Sequence, residues 1–190
     1  MTPAEIGARL VELLGAGEAS ESGGGKFARA TVDVPAERWA EAIEQAKAGL
    51  GCDFFDWLSA VDELPGGFLI VAHLWSTERK HGVLVRAELP RSAPAIASIT
   101  GTFPGAAWHE RETHEMFGVG FTGHPGLDPL LLPPEFEGHP LRKEFVLASR
   151  VAKPWPGAKE PGESEHTVAK RAPMRPPGVP DPDEWPGRRG

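Results

Sequence analysis

The stretch FFDWLSAVDELPGGFLIVAHLWSTERKHGVLVRAEL, residues 54–89, decides the fold class that we predict for this chain. Three runs within it, at 54–62, 67–76 and 81–89, are rich in the β-branched, aromatic and other apolar residues that favour strands. The connections ELPGG and TERK are short enough to be hairpin turns. The stretch therefore predicts three consecutive strands of a meander.

The residues before this meander predict two helices and one further strand. Thr2 and Glu5 form a capping-box pattern ahead of an apolar stripe. A loop of small residues is expected at 17–25, and residues 27–34 then alternate between apolar and polar side chains, which is typical of a half-buried strand. Pro35 opens the second helix, whose inner apolar stripe is expected to consist of Trp39, Ala42, Ile43 and Ala46. We predict an α+β fold: a two-layer domain with a mixed or antiparallel sheet, helices packed on one face, and an extended C-terminal arm.

The composition argues against several classes of function. The chain has 20 Lys and Arg against 27 Asp and Glu, and this net charge of -7 disfavours nucleic acid as a partner. The single cysteine, Cys52, cannot ligate an iron–sulfur cluster by itself, and we interpret it as a small buried apolar residue. The start of the chain has no secretory signal and the apolar runs are too short to span a bilayer. We therefore expect a cytoplasmic location, with any membrane contact made through a partner.

The run WHERETHEMFG, residues 108–118, concentrates ionisable side chains in a region where we expect one or two short helices ending at Gly118. His109 and His114 are five residues apart, which places their rings about 140° apart around a helix. The zinc-protease pattern needs two histidines four residues apart on one helix face. We therefore favour a helix that carries structural charge over a zinc site.

A series of short motifs continues from this helix to residue 143. It comprises a Glu-Arg-Glu step, a Glu-Met-Phe-Gly step, a Gly-His-Pro, a run of leucines and a closing Gly-His-Pro-Leu-Arg-Lys. Over residues 108–145 this order resembles the C subunit of NADH-quinone oxidoreductase, in the respiratory complex I family. The candidate structural and interface residues that the resemblance implies are Glu110, Arg111, Glu112, Glu115, Phe117, Gly118, Gly123, His124, Pro125, Gly138, His139, Pro140, Leu141, Arg142 and Lys143.

The resemblance implies a non-catalytic scaffold subunit in the peripheral arm of a proton-translocating NADH-quinone oxidoreductase. The implied complex uses FMN, iron–sulfur clusters and quinone on other subunits, and no cofactor or metal is expected on this chain. The chain agrees, since it has no GxGxxG, phosphate-loop or iron–sulfur cysteine pattern. The implied partners are the D subunit foremost, and also the B and I subunits. The implied location is peripheral, on the cytoplasmic face of the cell membrane.

Two other functions remain open at this point. One is the equivalent subunit of a membrane-bound energy-converting hydrogenase, in the same superfamily. The other is a stand-alone hydrolase with Glu112 or Glu115 as general base, for which we see no nucleophile or orienting partner. The chain also departs from the family at His114, where an aromatic or Asp-Tyr-like neighbourhood is frequent, and at Asp128-Pro129, where basic residues are common.

Opposite charges in the motifs are expected to pair and to pin the extended segment against the helix. The expected pairs join Glu110, Glu112 and Glu115 to Arg142 and Lys143. Arg111, flanked by carboxylates, is expected to be partly buried, whereas Arg91 is expected to be exposed.

The two Gly-His-Pro motifs are expected to be turns. His124 and His139 would donate ring hydrogen bonds to backbone carbonyls. A metal site built on these two histidines is the alternative, but the sequence offers no obvious third ligand.

Residues 151–190 differ sharply in composition, since they hold nine of the 20 prolines and few large apolar residues. Such a segment cannot bury enough apolar surface to fold alone. Trp155 and Trp185, each followed by a proline, favour an arm that docks on a partner. We therefore divide the chain into an α+β domain at 1–117, an extended motif segment at 118–150 packed on the domain and the partner, and a Pro-rich docking tail at 151–190.

Overall fold

The computed structural model describes residues 1–146, except for the side chain of Lys26. These residues contain three α-helices: α1 (Pro3–Leu14), α2 (Trp39–Leu50) and α3 (Ala106–Phe117). They also contain seven strands: β1 (Glu18–Ser22), β2 (Arg29–Asp33), β3 (Phe54–Asp62), β4 (Gly67–Ser76), β5 (His81–Pro90), β6 (Ala95–Ala97) and β7 (Gly120–Thr122). Trp155, Trp185 and the whole of the expected docking tail lie outside the described residues.

Strands β1 to β5 form one mixed sheet in the order β1-β2-β5-β4-β3. The expected meander is confirmed, because β3, β4 and β5 pair antiparallel in sequence order, with Ala60 opposite Ile70 and Ile70 opposite Ala87. Strand β2 pairs parallel to β5, with Val32 opposite Val85. The sheet therefore combines both pairing types, and the expected α+β fold with a mixed sheet is confirmed.

Helices α1 and α2 pack against each other and against the sheet. The capping box expected from Thr2 and Glu5 is present at the start of α1. In α2, Trp39 and Ile43 lie on the expected inner stripe and are fully buried. Each buried side chain of this size contributes roughly 1.5–3 kcal/mol relative to an exposed one. Apolar burial between the helices and the sheet is thus the main source of stability.

The loop expected at residues 17–25 is wrong in part, because Glu18–Ser22 form the edge strand β1, paired antiparallel with β2. Four of its five side chains are exposed and the fifth is half-buried, so no alternation of apolar residues marks this strand in the sequence. Its backbone pairing with β2 forms it.

The chain after residue 92 was expected to form only short helices, and this is partly wrong. Ala95–Ala97 form strand β6, which pairs parallel to β7 in a second, two-stranded sheet. Between these strands, α3 ends at Gly118 as expected. Helix α3 packs against β3, so it covers the edge of the main sheet.

Candidate interaction site around helix α3

Helix α3 carries the charged run and is the centre of the candidate site. The buried side chains of α3 are Ala106, Glu110, Thr113 and Phe117. They follow the three- and four-residue spacing of a helix face. The chain leaves the helix at Gly118, whose φ of 72° is left-handed and whose N–H bonds to the His114 carbonyl at 2.8 Å. Residues 118–146, here called the 118–146 segment, then contact α3 at several points.

Glu110 is a carboxylate inside the core, with no exposed surface. Its oxygens accept hydrogen bonds from the Ser98 hydroxyl at 2.6 Å and from the Ile99 backbone N–H at 2.7 Å. Burial raises the pKa of Glu110 above its ordinary value, although both donors act in the opposite direction. Glu110 therefore ties α3 to the residues that follow β6.

Arg111 and Glu115 bind the backbone of the leucine run. The Arg111 guanidinium donates to the carbonyl oxygens of Asp128 at 2.9 Å and Pro129 at 2.7 Å. The Glu115 carboxylate accepts three backbone N–H groups, from Leu130, Leu131 and Leu132, at 2.8–3.2 Å.

These contacts set the charge state of Glu115. Desolvation alone would raise the pKa of Glu115, but the three N–H donors and the nearby Arg111 outweigh it, so the pKa lies below its ordinary value. Glu115 and Arg111 thus act together, because one binds the amides and the other binds the carbonyls of neighbouring residues.

The two motif histidines contact α3 through its backbone carbonyls. His124 Nε2 donates to the Ala107 carbonyl at 3.2 Å, while its Nδ1 accepts the Gly126 N–H at 2.9 Å. His139 Nδ1 donates to the Glu115 carbonyl at 2.8 Å. The prediction that both rings donate to backbone carbonyls is confirmed. The adjacent Pro125 is exposed and Pro140 is half-buried.

The expected ion pairs between α3 and the closing motif are wrong. Arg142 Nε donates to the Phe117 carbonyl at 2.7 Å, at the helix end where carbonyls lack intrahelical partners. The Lys143 backbone N–H donates to the Asp62 carboxylate at 2.8 Å. Within residues 1–146, no ion pair joins Glu110, Glu112 or Glu115 to these two basic residues. The segment is pinned against the helix through backbone groups.

Close packing at Gly118 explains why glycine stands there. The motif glycines Gly118, Gly123 and Gly138 all have positive φ. At Gly118 an added Cβ would lie 2.5 Å from His139 Nε2 and would also collide with the Arg142 guanidinium. Any larger residue would therefore displace the two side chains that hold the closing motif on α3.

Asp62 and Arg91 belong to the site, although the sequence analysis did not predict them as site residues. Asp62 is 3% exposed, and its carboxylate pairs with the Arg91 guanidinium as well as with Lys143 N–H. Arg91 also pairs with Glu144 at 2.6 Å and lies 4.9 Å from the Phe68 ring centroid. The expectation that Arg91 is exposed is therefore wrong. A signal existed, because Asp62 is in phase with the inward-facing positions of β3.

Each of the four histidines considered as metal ligands has a ring nitrogen beside a backbone carbonyl. His109 Nδ1 lies 3.3 Å from the Leu58 carbonyl, on the edge of β3, whereas His114 Nδ1 donates to the Val119 carbonyl at 2.8 Å. His124 and His139 each bind a backbone carbonyl, as described above. No group of three or more His, Cys, Asp or Glu in residues 1–146 could hold a metal ion.

The residues considered for acid–base or nucleophilic chemistry have other roles or no described partner. Glu115 is occupied by backbone amides, and Glu112 is exposed with no hydrogen-bond partner within the described residues. Cys52 is fully buried, and burial raises the pKa of its thiol to about 12. The interpretation of Cys52 as a buried apolar residue is confirmed.

Large apolar side chains remain exposed around this framework. Trp108 on α3 is 68% exposed and Leu131, beside Glu115, is 59% exposed. Leu141 and Phe136 in the 118–146 segment are also exposed, and Val146 is 81% exposed. Several such residues on one helix and its attached segment are typical of a protein–protein contact surface. None of the three described helices has the length and apolar character needed to cross a bilayer.

Comparison with known proteins identifies the family. Residues 32–151 match the family described as respiratory-chain NADH dehydrogenase, 30 Kd subunit. The chain is 43% identical over 98 residues to the C subunit of NADH-quinone oxidoreductase from Roseiflexus castenholzii, covering 50% of this chain and 56% of the relative. It is 45% identical over 94 residues to the C/D subunit of NADH-quinone oxidoreductase from Pseudomonas fluorescens, covering 48% of this chain and 16% of the relative. The alignments thus span between a sixth and just over half of these relatives.

Two solved structures share the fold. The trypsin-resistant fragment (1-134) of Nqo5 has a TM-score of 0.57 and 25% identity, covering 66% of this chain and 99% of that chain. A chain of the membrane-bound sulfane sulfur reductase, an archaeal respiratory membrane complex, has a TM-score of 0.65 and 25% identity, covering 76% and 85%. The family match covers more than half of the sequence and includes α3 and the motifs that follow it. The chain belongs to the family of the 30 Kd subunit of respiratory-chain NADH dehydrogenase, which confirms the resemblance to the C subunit of NADH-quinone oxidoreductase.

Proposed function

We propose that this chain is a non-catalytic scaffold subunit in the peripheral arm of a proton-translocating NADH-quinone oxidoreductase. It would support electron transfer from NADH to quinone while FMN, the iron–sulfur clusters and quinone bind to other subunits. The main observation behind the proposal is that three charged motif side chains bind backbone groups. Arg111, Glu115 and Arg142 shape the 118–146 segment, and this leaves apolar side chains outward. Such an arrangement suits adhesion to another subunit.

The first partner that we propose is a protein like the D subunit of the same complex, here called the D-like subunit. Relatives named as the C/D subunit of NADH-quinone oxidoreductase support this, because a single chain there carries both letters. The B and I subunits would be further neighbours, and the complex would place this chain peripherally on the cytoplasmic face of the membrane. Trp108, Leu131 and Leu141 form what we call the association surface. Large exposed apolar side chains of this kind are frequent anchors in interfaces.

Coexpression with the D-like subunit of the same organism tests the association surface. The double variant Trp108→Ala, Leu131→Ser should reduce co-purification at least tenfold, because the loss of two interface anchors commonly costs about 2 kcal/mol or more. Leu64→Ser is a matched control, since Leu64 is 45% exposed in the β3–β4 hairpin and is not part of the association surface. Equal co-purification of the double variant and the wild type would refute the surface.

We further propose a division of labour along the chain, with the domain at 1–117, the motif segment at 118–150 and a docking tail at 151–190. The solved Nqo5 structure is a trypsin-resistant fragment of residues 1–134, which supports a protease-resistant body in that relative. In the isolated protein, trypsin should cut the tail first, because proline-rich segments with few apolar residues do not bury their backbone. In the complex the same bonds should be protected, and Trp155→Ala should weaken association. Equal cleavage of the tail in the isolated protein and in the complex would mean that the tail is a linker and does not dock.

A second candidate function is the equivalent subunit of a related membrane-bound complex, such as an energy-converting hydrogenase. The likeness to a chain of the archaeal sulfane sulfur reductase complex favours it. Purification from the native host through a tag on this chain separates the candidates. Co-purification of an NADH-oxidising flavoprotein supports the first function, whereas co-purification of a hydrogenase without one supports the second.

A further inference from the structure

A cavity of about 240 Å³ lies between the end of α3 and the 118–146 segment. Its apolar walls include Leu127, Leu132, Pro133 and Phe136. His114 and Asp128 are among its polar lining residues. The cavity adjoins Glu115 and the leucine run that bears Leu131 of the association surface.

The side-chain polar groups available in this cavity are acceptors. Within residues 1–146, no donor reaches the Asp128 carboxylate, and Asp128 is exposed. His114 donates through Nδ1 to the Val119 carbonyl, so Nε2 of the neutral ring is an acceptor. The nearby side-chain donors are already used, because Arg111 binds the Asp128 and Pro129 carbonyls and His139 binds the Glu115 carbonyl.

The carboxylates around the cavity outnumber the cations, because the Arg111 guanidinium beside Asp128 is offset by the Glu115 carboxylate. Residues 123–138 contain Asp128, Glu135 and Glu137 and no lysine or arginine. All three carboxylates are exposed, and in the described part of the chain none has an ion-pair partner. A neutral apolar guest would leave the acceptors unpaired, and an acidic guest would be repelled.

We propose that this cavity receives an arginine side chain of the partner subunit, a proposal that rests on the proposed scaffold function. The aliphatic stem would pack on Leu132 and Pro133, and the guanidinium would meet Asp128 and His114 Nε2. Arginine suits the site better than lysine because its planar group presents several donors and stacks on an aromatic ring such as Phe136. Asp128 would then determine which partner this chain accepts.

A small-molecule probe tests the cavity without the partner. Titration of the full chain with N-acetyl-arginine amide should shift the backbone amide resonances of Leu127, Leu132 and Phe136. N-acetyl-norleucine amide, with an apolar stem and no donor, should shift them much less. Asp128→Asn should remove the response to the arginine probe. A norleucine response of equal size, no arginine response, or an undiminished response in the variant would each overturn the proposal.

A second arm measures the affinity of the chain for the D-like subunit. Asp128→Lys should weaken binding about tenfold or more, and the salt dependence of binding should become shallower. Glu44→Lys is the control, because Glu44 is exposed on α2 with no partner within residues 1–146. If the wild type binds and both variants bind equally, the cavity proposal fails while the scaffold function stands. If the wild type does not bind at all, the scaffold function fails, and the probe arm alone decides about the cavity.

Discussion

Two regions of the molecule are held in place by different forces. One is the main sheet with helices α1 and α2, and the other is the 118–146 segment. In the sheet layer, buried apolar side chains such as Trp39, Ile43 and Leu74 fill the space between helices and strands. The 118–146 segment buries Val119 and Phe121 at its start. Beyond its three-residue strand β7, side chains of α3 bind its backbone directly. Substitutions in the two regions should therefore fail differently: globally in the first, locally in the second.

This difference explains why the motifs are made of charged residues and glycine. An apolar core tolerates substitutions that keep volume and polarity. A carboxylate that accepts three consecutive backbone amides has no substitute of equal geometry, and neither has a glycine against which two side chains pack. The segment is thus specified residue by residue, which suits a surface that a partner must read.

Substitution of two leucines, one in each region, should give the largest difference in the free energy of unfolding. Leu74→Ala should lower the free energy of unfolding by about 2–5 kcal/mol, because Leu74 is fully buried and its loss leaves a cavity. Leu131→Ala should change it by less than about 0.5 kcal/mol, since Leu131 is mostly exposed. Chemical denaturation monitored by tryptophan fluorescence measures both. Similar losses for the two variants would mean that the segment is part of the core.

Substitution of two arginines should give the next largest difference in stability. Arg91→Ala should cost about 3 kcal/mol, because it leaves the buried Asp62 carboxylate without its cation. Arg111→Ala should cost less than about 1 kcal/mol, since its hydrogen bonds to the Asp128 and Pro129 carbonyls lie at the surface. Thermal melts of the two variants check the order. A larger loss for Arg111→Ala would reverse it and restore the order expected from the sequence.

Two glycines separate backbone strain from packing. Gly118→Ala and Gly15→Ala both place a side chain at a φ near 70°, which costs roughly 1–2 kcal/mol in each variant. Only at Gly118 would the new Cβ meet His139 and Arg142, whereas at Gly15 it meets no atom within 4 Å. Gly118→Ala should therefore also make the 118–146 segment more sensitive to chymotrypsin. Equal sensitivity of the two variants would show that the close contact has no consequence.

The same difference between apolar packing and backbone contacts determines which features could be predicted from the sequence. The meander, the capping box at Thr2 and the inner stripe of α2 follow from periodicity, because apolar burial repeats at fixed spacing. Strand β1 was not predicted from the sequence, because its stability comes from backbone pairing, which leaves no pattern in the side chains. The hydrogen-bond partner of Arg142 was predicted wrongly for a related reason. Opposite charges suggest ion pairs, but the sequence does not show where a helix leaves its carbonyls open.

Within α3 itself, two carboxylates give the smallest and most specific contrast. The pKa of Glu110 is raised, mainly by burial, so the folded state holds this proton more tightly than the unfolded chain does. Its contribution should make stability fall as pH rises above the ordinary carboxyl pKa of 4.5. The pKa of Glu115 is lowered. Its contribution is therefore present above 4.5 and is lost as pH falls through the lower, folded-state pKa.

Glutamine variants of the two residues test these opposite signs. Glu110→Gln keeps an acceptor for the Ile99 N–H and cannot ionise, so its stability relative to wild type should increase as pH rises from 4 to 7, by an amount on the order of 1 kcal/mol. Glu115→Gln should lose stability relative to wild type over the same range, by up to about 1 kcal/mol, because a neutral amide binds the three N–H groups less strongly than a carboxylate. Denaturant titrations at several pH values measure both differences. Curves that run parallel to the wild type would show that neither carboxylate differs between the folded and unfolded states.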